Sequence, residues 1–180
     1  MTSFFWNNLF RKDSKEKSVL ETLKQTHIFG NLNKRELNLV LQTIHVRNYT
    51  PGETVFSQGE LGIGMYVILH GKVDVFARKP GFEEEGAQLV AQLFEGDFFG
   101  ELSLVENQGR RTATAIAATE TALIGFFKPD LTEILERQPQ TGSKIVLRLA
   151  EVLGRRLKET SLRLTELKEE NSKNMTRGPL

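Results

Sequence analysis

Apolar positions recur along this chain with two different periods, and the change from one to the other divides it. Val19, Leu20 and Leu23 form a short face at helical spacing, and Phe29-Gly30-Asn31-Leu32 breaks it. Leu37, Val40, Leu41 and Ile44 make a second helical stripe. Asn33 stands where this second helix needs an N-cap, with Glu36 at the third helical position to complete a capping box. From Val46 to Phe127 the pattern changes to short apolar runs divided by glycine-containing turns. The runs are Thr54–Phe56, Met65–Leu69, Val73–Phe76, Gln88–Phe94, Ala113–Ala118 and Ala122–Phe127; in Val73–Phe76 apolar and polar residues alternate, as in a strand with one buried face. Gly52, Gly59 and Gly71 read as turn residues with positive φ. Lys79 to Gly86, with Phe82 followed by three glutamates, reads as a surface hairpin. Strands repeating every ~8–12 residues between turns predict a sandwich or barrel, and together they read as a jelly-roll-like β-roll.

Helical spacing returns after the roll. Lys128-Pro129-Asp130 ends it, Asp130 is placed to cap a helix from Leu131 to Arg137, and Pro139 interrupts that helix. A long helix is predicted from about Thr141 to Lys168. Along it Val146, Ala150, Leu153, Leu157, Thr160, Leu164 and Leu167 recur at spacings of four and three, a heptad seam suited to a second copy of the chain. Arg155, Arg156, Lys158 and Glu159 flank the seam and read as a solvated face.

The fold class expected is therefore mainly β with flanking α: a β-roll with N-terminal helices and a long C-terminal helix. The divisions are an aromatic and basic appendage (1–18), a helical lead-in (19–45), the roll (46–127), C-terminal helices (128–170) and a disordered tail (171–180). In the appendage, Phe4, Phe5, Trp6, Leu9 and Phe10 share much of one helical face and are followed by Arg11, Lys12, Lys15 and Lys17. It reads first as a terminal helix docked on its own domain or on a partner. The competing reading is peripheral membrane contact through residues 4–10.

Composition narrows the function more than the fold. In 180 residues, 24 basic and 23 acidic side chains leave a charge of +1, which offers no electrostatic case for nucleic acid. The absence of cysteine removes disulfides, thiolate catalysis and cysteine-bound metals. His27, His45 and His70 are scattered, with no metal-ligand spacing, so no metal is expected. The order Gly-Glu-Leu-Ser-Leu lacks the spacing of a hydrolase nucleophile elbow, and no enzyme activity is expected. No run approaches the ~18 apolar residues that span a bilayer. The opening MTSFFWNNLF lacks a basic region and a cleavage site, so a cytoplasmic protein is expected.

The chemistry concentrates in Gly96–Ala117, GDFFGELSLVENQGRRTATAIA. Gly100 allows a tight turn, and Glu101-Leu102-Ser103-Leu104 has the length of one helical turn whose first N–H groups can face an anion. Ten residues after Glu101, Arg111 opens a β-prone run and can fork two N–H donors onto a phosphate. A carboxylate is repelled by phosphate, so Glu101 suits a sugar hydroxyl. The combination reads as a sugar-phosphate site.

FGELSL followed by RRTATA resembles the phosphate-binding cassette of cyclic nucleotide-binding domains, over roughly residues 20–160. The resemblance is to a family that includes the catabolite activators, protein kinase regulatory subunits and cyclic-nucleotide-gated channels; here it suggests a stand-alone, bacterial-type member. It implies cAMP or cGMP as ligand, with Gly100, Glu101 and Leu102 holding ribose and phosphate, Arg111 pairing the cyclic phosphate, and Thr112 beside it. Loop length varies within the family, so Arg110 stays open as the phosphate partner; Arg111 is preferred because the family arginine directly precedes the small Ser, Thr or Ala. Gly109 stands where kinase-type members carry proline. Val75, Val90 and Leu93 are candidates for the base pocket, with ordinary core as the competing assignment. The resemblance also implies that the helix after the roll covers the ligand, a task for Ile145 to Leu153, and that the output goes to an effector protein. Too few residues follow Lys168 for a DNA-reading helix-turn-helix, so direct nucleic-acid binding is not expected. The alternative is a ligand-free β-roll used for dimerisation or protein docking, in which Arg111 pairs with Glu101 or Asp97.

Overall fold

The structure, a computed structural model, describes residues 18–78 and 86–176. The aromatic appendage up to residue 17 and nearly all of the hairpin expected around Phe82 lie outside the described residues, as do residues 177–180.

A helix over residues 18–25, α1, and α2 (Lys34–Leu41) precede the roll. The capping box of α2 forms as its sequence requires. The Arg35 and Glu36 amides donate to Asn33 Oδ1 at 2.9 and 3.0 Å, and the Asn33 amide donates to Glu36 Oε2 at 2.8 Å. Eight strands follow: β1 (His45–Tyr49), β2 (Thr54–Phe56), β3 (Gly64–His70), β4 (Lys72–Ala77), β5 (Gln88–Phe94), β6 (Phe98–Phe99), β7 (Thr114–Ala117) and β8 (Thr121–Phe127). A single turn, α3 (Leu102–Val105), separates β6 from β7, and α4 (Lys128–Arg137) and α5 (Pro139–Thr176) close the order. The strands pair antiparallel in two sheets, β1-β8-β3-β6 and β2-β7-β4-β5.

Strand alternation gives the central sheet two apolar faces. Met65, Val67, Ile124 and Phe126 turn toward the helices and join Leu23, Phe29, Leu37, Ile134, Ile145 and Leu149 in one core. Ile68 and Leu123 turn the other way and meet Val73, Ala115 and Ala117 of the second sheet. Phe29 stands edge-on to Phe126 with ring centroids 5.3 Å apart, tying the lead-in helices to β8.

The C-terminal helices differ from expectation at their ends. α4 begins at Lys128, and Asp130 acts from inside its first turn, accepting the Phe127 amide at 2.8 Å. Pro139 opens α5 instead of standing between helices, because proline's missing N–H costs nothing in a first turn. α5 then runs on to Thr176, beyond the expected start of a disordered tail at 171, since no glycine or proline follows Gly154 until Gly178-Pro179. Its buried stripe is Ile145, Leu149 and Val152. The heptad seam lies one position round the helix, with Leu157 (69% exposed), Leu164 and Leu167 open to solvent. Gly154 follows the last buried residue, and a Cβ there would meet nothing within 4 Å.

Phe126 is fully buried. Phe126→Ala is expected to destabilise the fold by about 3–5 kcal/mol, read from a lower urea midpoint at an unchanged m-value. A loss under about 1 kcal/mol would mean that this ring does not tie the lead-in helices to β8.

Candidate functional site

The stretch from β6 to β7 folds back on itself around one buried arginine. β6 delivers the chain to Gly100, whose φ of 77° lies in the left-handed region that favours glycine. A Cβ at this position would also stand 2.5 Å from Arg111 Nη1 and 3.2 Å from Gly64 O. Glu101 then precedes α3, whose internal hydrogen bonds start with Ser103 N–H to Gly100 O at 3.1 Å and Leu104 N–H to Glu101 O at 3.0 Å. The amides of Glu101 and Leu102 come just before them.

Arg111 reaches the same place from the other side. Its amide donates to Glu60 O and its carbonyl accepts from Gly59 N–H, both at 2.8 Å, which fixes the backbone before β7 begins. The side chain is 6% exposed. Its Nη1 donates to Ser103 Oγ at 2.9 Å and approaches Gly100 O at 3.4 Å, and the guanidinium lies 3.9 Å from the Phe56 ring centroid. Nε is buried with no hydrogen-bond partner. Among the described residues no carboxylate forms an ion pair with Arg111. Burial lowers its pKa, opposed by the nearby Tyr66, Glu60 and Glu101, but an arginine starts so far above neutrality that it stays cationic. Arg110 is differently occupied: it is exposed, and its Nη1 donates to Gly59 O at 2.7 Å.

The ion pairs proposed for a ligand-free roll do not form. Asp97 accepts the Phe94 amide at 2.8 Å within its own turn. Glu101, with its side chain 3% exposed, pairs with Arg156 of α5. Arg156 also lies 5.2 Å from the Phe98 ring centroid, so its side chain, 47% exposed, lies half in water and half against the domain. It continues the buried stripe Ile145–Leu149–Val152 by one more step of four, and that step carries it to the site.

These groups line a cavity of about 280 Å³, walled by Phe56, Val75, Ala91, Leu93 and Phe98 and floored by Gly100, Glu101, Leu102, Ser103 and Arg111; Thr112, Arg110 and Arg156 also line it. Val75 and Leu93 sit where the sequence places them, but Val90 does not. It is 59% exposed, because residues 90 and 93 fall on opposite faces of a strand, whereas Ala91 and Leu93 share one. Ala91 pairs with Val75 across β4 and β5 and takes the position expected for Val90.

The sequence pattern of the family described as "Cyclic nucleotide-binding domain" matches residues 46–138 of this chain. The chain belongs to the cyclic nucleotide-binding domain family. It is 34% identical over 152 residues to the "Cyclic AMP receptor protein" of Thermus thermophilus, covering 84% of this chain and 67% of that one. It is 30% identical over 158 residues to the "cAMP-dependent protein kinase regulatory subunit" of Mycosarcoma maydis, covering 87% of this chain but 28% of the relative. The solved Thermus thermophilus catabolite activator protein superposes with a TM-score of 0.69 at 34% identity, over 79% of this chain and 63% of that structure. The chain thus spans about two thirds of its bacterial relative and under a third of the kinase subunit.

Within this cyclic nucleotide-binding domain, sequence reasoning missed Ser103, Phe56, Ala91 and Arg156. Strand parity would have found Ala91 and the helical stripe Arg156. Ser103 and Phe56 carry no local signal, since they meet Arg111 only through the tertiary fold.

Gly100→Ala tests the close approach that builds the site. Positive φ and contact with Arg111 together are expected to lower stability by about 1–3 kcal/mol in urea unfolding. A variant as stable as the parent would show that backbone and guanidinium separate without cost.

Proposed function

We propose that this cyclic nucleotide-binding domain is a receptor for cAMP or cGMP that signals through α5 and performs no chemistry of its own. The observation carrying the reading is Arg111: a cation in the cavity floor, with a buried unpartnered Nε and, among the described residues, no carboxylate in an ion pair with it. A cyclic phosphate supplies the missing anion. Arg111 forks two donors onto it, the amides at Gly100 to Leu102 add donors, Thr112 stands beside it, and Glu101 accepts a ribose hydroxyl. Val75 and Leu93 then face the base, with Ala91 in place of Val90. One such charge pair near 4 Å is worth roughly 4 kcal/mol at an effective dielectric of 20, before desolvation. The relatives named for cAMP favour that nucleotide without excluding cGMP.

The net charge of +1 gives no electrostatic case for DNA, and the output is assigned to protein partners: a second copy of the chain and an effector. The exposed seam of Leu157, Leu164 and Leu167 suits the second copy. None of the described helices is long and apolar enough to cross a membrane, and a cytoplasmic site of action fits this reading. Arg156 connects pocket to helix. The cavity lies beside the Arg156–Glu101 pair, and on this reading nucleotide binds without breaking it, with the carboxylate bridging α5 to the ribose. One observation favours the alternative of a ligand-free docking roll: Glu101 already has a partner.

Replacing Arg111 separates the two readings. Arg111→Lys, which keeps the charge and loses the fork, should cost about 1.5–3 kcal/mol of binding, or on the order of 10–100-fold in affinity by calorimetry. Arg110→Ala should cost much less, because its head group is spent on Gly59. Wild-type protein should gain about 2.7 kcal/mol of stability at nucleotide one hundredfold above its dissociation constant, with no gain from linear AMP. Equal melting shifts with cyclic and linear AMP, or none with either, would overturn the receptor reading.

A second pair of variants tests the bridge. Arg156→Ala should remain a dimer and bind cyclic nucleotide at least about fivefold more weakly, the low end of ordinary coupling. Truncation after Gly154 removes Arg156 together with Leu157, Leu164 and Leu167 of the seam and should give a monomer by sedimentation with the same weakened binding. Tighter binding by Arg156→Ala would instead make the pair a competitor of the nucleotide.

A further inference from the structure

A second concavity opens on the far side of the central sheet, unconnected with the nucleotide reading. It has a volume of about 630 Å³, within the ~300–1,000 Å³ of pockets that bury small organic groups. Its apolar wall is Val19 of α1, Leu41 of α2, Ile44 just after it, Val46 of β1 and Leu69 of β3. Val46 is 51% exposed, although valine on a strand is ordinarily covered. The polar lining is Asn38, Gln42 and Asn48, carboxamides without charge. The groove also runs along β1, the first strand of its sheet, and an uncovered edge strand offers unpaired backbone donors and acceptors.

We infer that this groove is the docking site of the chain's own aromatic segment, residues 4–10. The groove starts at Val19, where the described chain also starts, so the segment leaves from the groove's own wall. Residues 11–18 between them span up to ~3.3–3.6 Å each, enough to fold back from any direction. Phe4 to Phe10 brings four aromatic rings and a leucine with two asparagines and no charge, which matches an uncharged groove. The tryptophan N–H finds acceptors among the three carboxamides. Arg11, Lys12, Lys15 and Lys17 stay in water on the connecting stretch. The other wide groove, beside the exposed Leu61 and Ile63, is rimmed by Glu106, Asp130, Glu133 and Glu136 and fits the neutral segment less well.

Trp6 is the only tryptophan in the chain and reports the answer directly. In the full-length protein its emission should be blue-shifted and its iodide quenching several-fold weaker than in the same chain unfolded in urea, at every protein concentration and without lipid. Val46→Glu places a charge in the groove from an exposed position and should return both signals to unfolded values while circular dichroism still shows a folded roll. Phe5→Ser with Phe10→Ser should do the same from the segment's side, without touching the roll. Four results would overturn the inference: solvent-exposed emission in the parent, a blue shift that fades on dilution and so belongs to a second copy, a shift that needs phosphatidylserine vesicles, or one abolished by Ile63→Glu and not by Val46→Glu.

Discussion

The site rests on a cation buried, among the described residues, without a carboxylate in an ion pair with it. Removing a charge from water costs several kcal/mol even after relaxation, and Arg111 meets that cost only in part. Ser103 takes one of its hydrogen bonds, Phe56 lies against its face, and the backbone around it is pinned by Glu60 and Gly59. Of the two acids close enough to be felt, Glu60 and Glu101, the latter is engaged by an arginine from another element. Its unsatisfied Nε is therefore an electrostatic demand written into the fold. The surrounding details follow from keeping that group in place: the glycine that lets it pass, the one-turn helix that gives it a hydroxyl, and the loop that returns the chain to the start of β7.

The two sheets make this arrangement rigid. Because β3 and β8 present apolar side chains on both faces, one sheet is shared by two cores, and the helices pack on the face away from the second sheet. The cavity forms where β6 leaves that shared sheet and the chain crosses to β7 of the other. Its walls are strand residues whose positions are fixed by cross-strand pairing, so the polar floor is held by elements that have little freedom to relax.

Much of this was legible in one dimension. Turn glycines, strand-length apolar runs and the Asn33–Glu36 cap specify their elements through neighbours in sequence, and each forms. Residues 100–112 were legible as a constellation because resemblance supplied the spacing that local rules lack. What failed did so for nameable reasons. Val90 was chosen by hydrophobicity where strand parity should have decided. Arg156 reads as solvated from its charge and is half exposed, but its place on the helix face that buries Ile145, Leu149 and Val152 also brings it to Glu101. The pairing of Glu101 with a residue 55 positions away is tertiary information, and no local pattern encodes it.

Gly154 acquires a mechanical meaning from its position. It weakens the helix by about 1 kcal/mol relative to alanine and sits between the half of α5 that buries side chains in the core and the half whose described side chains are exposed. The 22 residues from there to Thr176 form an arm of roughly 33 Å at 1.5 Å per residue. Arg156 grips that arm two residues past the pivot, where leverage is greatest. A tilt of ~10° permitted or withheld at Glu101 would sweep the far end through ~6 Å, over the helix's length at its ordinary rise. On the proposed function the domain would be a transducer of angle, reading a contact between two side chains out as a displacement larger than the contact itself.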